Sequence, residues 1–182
     1  MSKFTDALVV TPMADGLTWV VLKDFGYDIG QEGSGNSVEV PVGFMTDFAS
    51  APRIFWALIP KWGKYGNAAV IHDFLYWNQT MSRKRADDIL FEAMDVLKVS
   101  AFHKYTIYRV VRWFGGTAWR RNQWDRAAGF ERVLQDTAVK SGQGSGRPRL
   151  YRRAWMHARG VKESGGIAGE KPVAGKSAGA AG

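Results

Sequence analysis

GKYGNAAVIHDFLYW (residues 63–77) and SRKRADDILFEAM (residues 82–94) decide the fold. The first stretch is apolar almost all the way round a helix over about 64–78, with Ala68, Val70, Ile71, Leu75 and Trp77 among its members, the pattern of a helix at the centre of a domain. In the second, Ser82 stands where an N-cap belongs and the pattern predicts a helix over about 83–98. At about 100° per residue, Ala86, Ile89, Leu90, Ala93, Met94 and Leu97 share one face. Asp87 falls at the edge of that face, whereas Asp88 points away with Glu92 and Asp95 flanking the polar side. Asp87 is therefore the acid expected to be buried, and Asp88 the one expected to be solvated.

Inside this apolar hairpin sit His72, Asp73 and Asp87. An ionisable group there costs several kcal/mol unless it is paired, hydrogen-bonded or metal-bound. Two helices joined by the short turn Asn78-Gln79-Thr80 pack antiparallel, so residues equidistant from the turn lie level. His72 and Asp87 are nearly equidistant from Thr80 and are expected to face each other. Tyr76, one turn after His72, offers its hydroxyl to the same carboxylate. A carboxylate that accepts the Nδ1 hydrogen of His72 fixes the tautomer and leaves the other ring nitrogen to take a proton from water. Asp73, about 100° round the helix, is placed to ligate a cation from the side, with Asp47 of the turn TDFAS as a second oxygen ligand. Oxygen ligands suit calcium or magnesium, and the addition of His72 would favour zinc or manganese. The alternative reading of His72 and Asp87 is a buried pair that fixes the register of the hairpin.

Outward from the hairpin the pattern changes. The first fifty residues read as short strands: ALVV, LTWVVLKDF and NSVEVPVGF, punctuated by ADG, by QEGSGN at 31–36 and by Pro41. GSGN reads as a hairpin loop. GFMTDFASAPRIFWALIPKWG predicts a short helix from near Pro52 to Pro60. A third helix is expected over about 101–114 with Gly115-Gly116 as its stop, and a further amphipathic helix within TAWRRNQWDRAAGFERVLQDTA. The expected fold is α+β: a small N-terminal antiparallel sheet packed on a three- to four-helix bundle centred on 64–78. Residues 1–140 form one domain in this reading, and 141–182 a basic Gly/Ala-rich tail, largely disordered.

The net charge of +8 is concentrated in that tail, which holds eight Lys and Arg against two Glu. Such a tail implies attraction to nucleic acid, anionic lipid or an acidic partner, or simply solubility. The chain has no cysteine, which excludes disulfide frameworks, thiolate zinc sites and cysteine nucleophiles. Neither a secretory signal nor an apolar run long enough to span a membrane is visible. The glycine-rich QEGSGNS is not a phosphate loop, since no Lys-Ser/Thr and no helix follow. In RVVRWFGGTAWRRNQW, Trp113, Trp119 and Trp124 alternate with Arg112, Arg120 and Arg121. Packing of the tryptophans on the sheet is the expected use, with a membrane interface or a nucleic-acid backbone as alternatives. His103 and His157 are read as surface residues without a role.

GFMTDFASAPR, WGKYGNAAVIHDFLY and SRKRADDILFEAM together resemble a family of small proteins from tailed phages and prophages, named only as a domain of unknown function, number thirteen fifty-three. The resemblance covers roughly residues 40–115 and implies phage or prophage origin. More distantly, H-D-F-L-Y facing A-D-D-I is similar to the helix pair of secreted phospholipase A2. That similarity implies His72 as the base, Asp73 as calcium ligand, Asp87 as the acid that orients His72 and Tyr76 as its second partner. The His-to-Asp interval is shorter here, and neither disulfides nor a Y-x-G-x-G loop accompany it.

Two functions from different classes follow. One is a small metal-dependent hydrolase, with calcium the expected divalent cation, acting on a lipid or cell-envelope substrate during phage entry or lysis. The other is a non-enzymatic virion component of tail, neck or assembly that docks on other phage structural proteins. The expected location is the virion or the host bacterial cell. Expected partners are phage structural proteins or a membrane or cell-envelope surface, with nucleic acid only through the basic tail.

Overall fold

Nine elements follow one another in the computed structural model, which describes residues 1–13, 18–47 and 65–134. The strands are β1 (Lys3–Phe4), β2 (Val10–Pro12), β3 (Trp19–Val21), β4 (Phe25–Asp28), β5 (Ser37–Val40) and β6 (Met45–Thr46). The helices are α1 (Gly66–Asn78), α2 (Arg83–Val96) and α3 (Ala101–Ala127). This is the α+β class expected. The short helix expected from Pro52 and the tail 141–182 lie outside the described residues.

One sheet was expected and two are found, each three-stranded and antiparallel, in the orders β1-β4-β5 and β2-β3-β6. The run LTWVVLKDF divides between them. Its first part pairs with β2 and β6, then Leu22, Lys23 and Asp24 turn out to solvent, and Phe25 begins the other sheet. The Asp24 carboxylate accepts the Val42 backbone N–H at 3.1 Å and holds this corner. A continuous β-rich run hides such a break because propensity carries no register. The GSGN loop does join a hairpin, with Phe25 opposite Val40 and Tyr27 opposite Val38. All four side chains are buried, as the two-residue period of a one-sided sheet requires.

The core lies between these sheets and the three helices. Val21, Phe25, Tyr27, Val40 and Phe44 from the strands meet Val70, Ile71 and Leu75 of α1, Ile89, Leu90 and Met94 of α2, and Ile107 and Val111 of α3. The Glu92 carboxylate fastens the first sheet to α2, accepting from the Gly30 N–H at 2.8 Å, from the Tyr27 hydroxyl at 3.1 Å and from the Ser2 hydroxyl. Behind α3 the chain returns to the second sheet. Met45 N–H donates to Arg132 O at 2.8 Å and Leu134 N–H to Gly43 O at 2.9 Å. Gly43 has φ +87°, and a Cβ there would stand 2.4 Å from Leu134 O, so this return requires glycine.

The Ser82 cap is as expected: its hydroxyl accepts the Arg85 N–H at 3.2 Å. The expected end of α3 is not. The helix runs on through Gly115-Gly116 to Ala127 and takes in the first half of the segment read as a separate amphipathic helix, residues 117–127. Gly115 serves tertiary contact instead of termination, because a Cβ at this position would lie 2.3 Å from the Tyr76 hydroxyl oxygen. The hydroxyl reaches its partner only by grazing the bare backbone of α3. A Cβ at Gly116 would meet nothing.

The two glycines should therefore respond oppositely. Gly116→Ala should stabilise by up to about 1 kcal/mol through helix propensity. Gly115→Ala should destabilise by about 1–2 kcal/mol net, overpacking outweighing that gain. Urea melts of both variants, and of Gly115→Ala in a Tyr76→Phe background where the clash is relieved, check this.

Candidate functional site

One carboxylate gathers the three helices. Asp87 on α2 is fully buried, and its Oδ1 accepts from His72 Nε2 at 2.9 Å and from the Tyr76 hydroxyl at 2.7 Å, both on α1. Its Oδ2 accepts from Arg112 of α3 at 2.7 Å and from Arg83 of α2 at 3.3 Å. Both α1 donors lie on one face because they are four residues apart, and their rings are in tilted contact with centroids 4.1 Å apart. His72, Asp87 and Tyr76 thus meet as the turn-centred reading expected. Asp88 makes the opposite choice and lies part-exposed between Lys84 and the Tyr108 hydroxyl, each at 2.7 Å.

The ring atom differs from expectation. Nδ1 was expected to face the carboxylate, and Nε2 does so. Nε2 is the far end of the imidazole, and only that end spans the gap between two helix backbones. An ionised carboxylate only accepts, so Nε2 carries the hydrogen, and in the neutral ring Nδ1 is the acceptor nitrogen.

Two guanidiniums were missed. Arg83 stands four residues before Asp87, an i,i+4 pair that helical spacing makes readable in the sequence. Arg83 also donates to the carbonyls of Val111 and Arg112, both at 3.2 Å, which clips α2 to α3. Arg112 lies twenty-five residues from Asp87, and no local signal announces the contact.

Electrostatics follow from this crowding. Burial pushes the Asp87 carboxyl up, but the hydrogen bonds and charge of His72 and the bonds from Tyr76 and Arg112 outweigh it and hold the group below the usual carboxylate range. Burial, with the hydrogen bond to Asp87, pushes the Tyr76 hydroxyl well above its ordinary value, so it stays a donor. The hydrogen bond to Asp87 raises Arg112 further.

Asp73 is buried as well, but it faces the strands: its Oδ2 accepts the Thr46 hydroxyl of β6 at 2.6 Å. Asp47, the next residue, is half-buried. Among the described residues no group of three or more His, Cys, Asp or Glu is arranged to hold a metal ion. His103 is exposed and bonds Ser100, and His157 lies outside the described residues. A cleft of about 610 Å³ lies elsewhere, lined by Phe74, Trp77, Gln79, Arg126 and Phe130 among others, and none of His72, Tyr76 or Asp87 borders it.

Asp87→Asn should cost about 3–5 kcal/mol, since it strands two buried-end guanidinium contacts and sets an amide N–H against donors. The folded Asp87 titrates below its unfolded value of about 3.9. Its stabilisation is therefore fully present above that value and is lost as pH falls through the lower, folded one. Urea midpoints measured from pH 6 to pH 2 should show a shallower acid decline in Asp87→Asn than in wild type. Other depressed carboxylates, such as Asp88 and Glu92, contribute equally to both proteins and cancel in the difference.

No helix among the described residues is long and apolar enough to cross a membrane. Neither the curated proteins nor the solved structures contain a match to the chain. A family model described as "Protein of unknown function (DUF1353)" matches residues 19–111, from β3 through the first half of α3. That span is just over half of the chain and includes His72, Asp73, Tyr76, Arg83 and Asp87, and on it the chain belongs to this family.

Proposed function

We propose that this chain is a phage- or prophage-encoded hydrolase of ester bonds in a lipid or cell-envelope substrate, with His72 as general base. One observation carries the reading: the buried Asp87 carboxylate holds His72 through Nε2, with Tyr76 on the same oxygen. A ring fixed in this way presents Nδ1 as the nitrogen that takes a proton. Water gives its proton to Nδ1 while its oxygen attacks the ester carbonyl. The imidazolium then returns the proton to the departing alkoxide, which leaves an acid and an alcohol. Asp87 and Tyr76 are positioning residues in this scheme, since they touch the base and not the substrate.

Calcium bound by Asp73 and Asp47 belongs to the phospholipase-like form of the proposal. No step above is routed through it.

A second reading has its own observation. Arg83 and Arg112 already share the charge of Asp87, which suits a structural hub in a non-enzymatic tail, neck or assembly component. Hydrolysis of dispersed phospholipid and simple carboxylic esters, followed with EDTA and then with calcium, separates the two. His72→Gln should lower the rate by about 10²–10⁴-fold while the fold persists by circular dichroism. A wild type without activity on any ester, together with a large loss of melting temperature in His72→Gln, would leave the hub reading standing.

A further inference from the structure

We infer that the outer face of α3 is a docking surface for an anionic lipid bilayer. Around a helix at about 100° per residue, the side opposite Val111, Gly115 and Asn122 carries Phe102, Arg109, Trp113, Arg120 and Trp124, with Tyr105 at its edge beside Phe91 of α2. Phe102, Trp113 and Trp124 are 72, 73 and 71 % exposed, and Tyr105 is 53 % exposed. Large aromatics at such exposure, spaced from Phe102 to Trp124 along one helix, form a stripe about 33 Å long. Single exposed aromatics are ordinary, whereas a stripe of three on one face with a fourth at its edge is not.

Charge names the occupant. Arg109 and Arg120 lie within the stripe and Arg121 beside it, and none of the three makes an ion pair with a described residue. The only acidic residue of α3 is Asp125. The other basic residues of the helix are engaged: Lys104 with Asp95, Arg112 with Asp87 and Arg126 with the Asn78 carbonyl. Among the described residues, the guanidiniums without an ion-pair partner are therefore the ones set among the tryptophans. Indole rings settle at the level of lipid headgroups, and arginines beside them pair with phosphates. A nucleic-acid groove would need the same cations, but its aromatics would stack against single bases from a concave platform, whereas this face is the exposed outside of a single helix.

The inference does not rest on the hydrolase reading, because binding is measured without turnover. Co-sedimentation of the full chain with vesicles of phosphatidylcholine alone, and of phosphatidylcholine mixed with phosphatidylglycerol, is the test. Binding to the mixed vesicles, weakened by salt and by about tenfold or more in Trp113→Ser/Trp124→Ser, is the expected result. That variant keeps every basic residue, the C-terminal segment included, so its loss assigns binding to the stripe and not to charge elsewhere. Arg109→Glu/Arg120→Glu should weaken binding to the mixed vesicles by a similar factor. Thermal melts of both variants should match wild type, since all four positions are exposed. Three results would each overturn the inference: anionic binding that survives both variants, equal binding to pure phosphatidylcholine, or capture of single-stranded RNA with no capture of vesicles.

Discussion

Burial of the Asp87 charge is the constraint on which the helical half of the molecule depends. A carboxylate removed from water holds its charge only if donors replace the solvent it has lost. Here four side chains do so, two from α1, one from α2 itself and one from α3. Each donor has a fixed reach, so the carboxylate sets how far apart the helices lie and how each is rotated. A shift of α1 by one residue would carry His72 and Tyr76 off the facing side together, since both depend on the same helical period. Gly115 belongs to the same constraint. Tyr76 can reach Asp87 only where α3 has no Cβ, so a residue of α3 is dictated by a bond between α1 and α2.

The same bonds bear on chemistry. Asp87 stays ionised and Tyr76 stays protonated, so the tautomer of His72 is determined from outside the ring. The two guanidiniums take up much of the carboxylate's charge, and their side chains remain about one-quarter exposed, where water screens the surplus. The hydrogen bond from His72 to Asp87 orients the ring. Orientation serves a structural hub and a general base alike, and for that reason the two readings of this site share one geometry. They part only at Nδ1 and at what meets it.

What the sequence reveals and what it hides follow from the range of each interaction. The hairpin of α1 and α2 is legible because its contacts are set by a short turn and by period, which placed His72 level with Asp87 and separated Asp87 from Asp88. Ser82 is legible because a cap is local. The continuity of α3 is not, because a glycine pair reads as a stop until the tyrosine that occupies its space is known. Arg112 is hidden for the same reason, its partner being fixed only once three helices pack. The split of the strands into two sheets turns on three exposed residues at Leu22–Asp24, too short an interruption for propensity to register. The choice of Nε2 over Nδ1 depends on the distance between helix backbones, which no pattern encodes.

The rotation of α3 connects the buried centre to the outer surface. Gly115 must face Tyr76, and at about 100° per residue this turns Trp113 some 160° away and Trp124 fully to the opposite side. The tryptophans were expected in the core, and Trp119 does pack edge-on against Tyr76 with centroids 5.2 Å apart. Trp113 and Trp124 are excluded from it by that same rotation. Their exposure is thus no accident of a loosely packed helix: the bond that holds Tyr76 on Asp87 also sets which face of α3 meets solvent. A stripe of aromatics presented by so rigid a support keeps its alignment without a partner, so docking incurs little of the ordering entropy that a flexible aromatic segment would lose on binding.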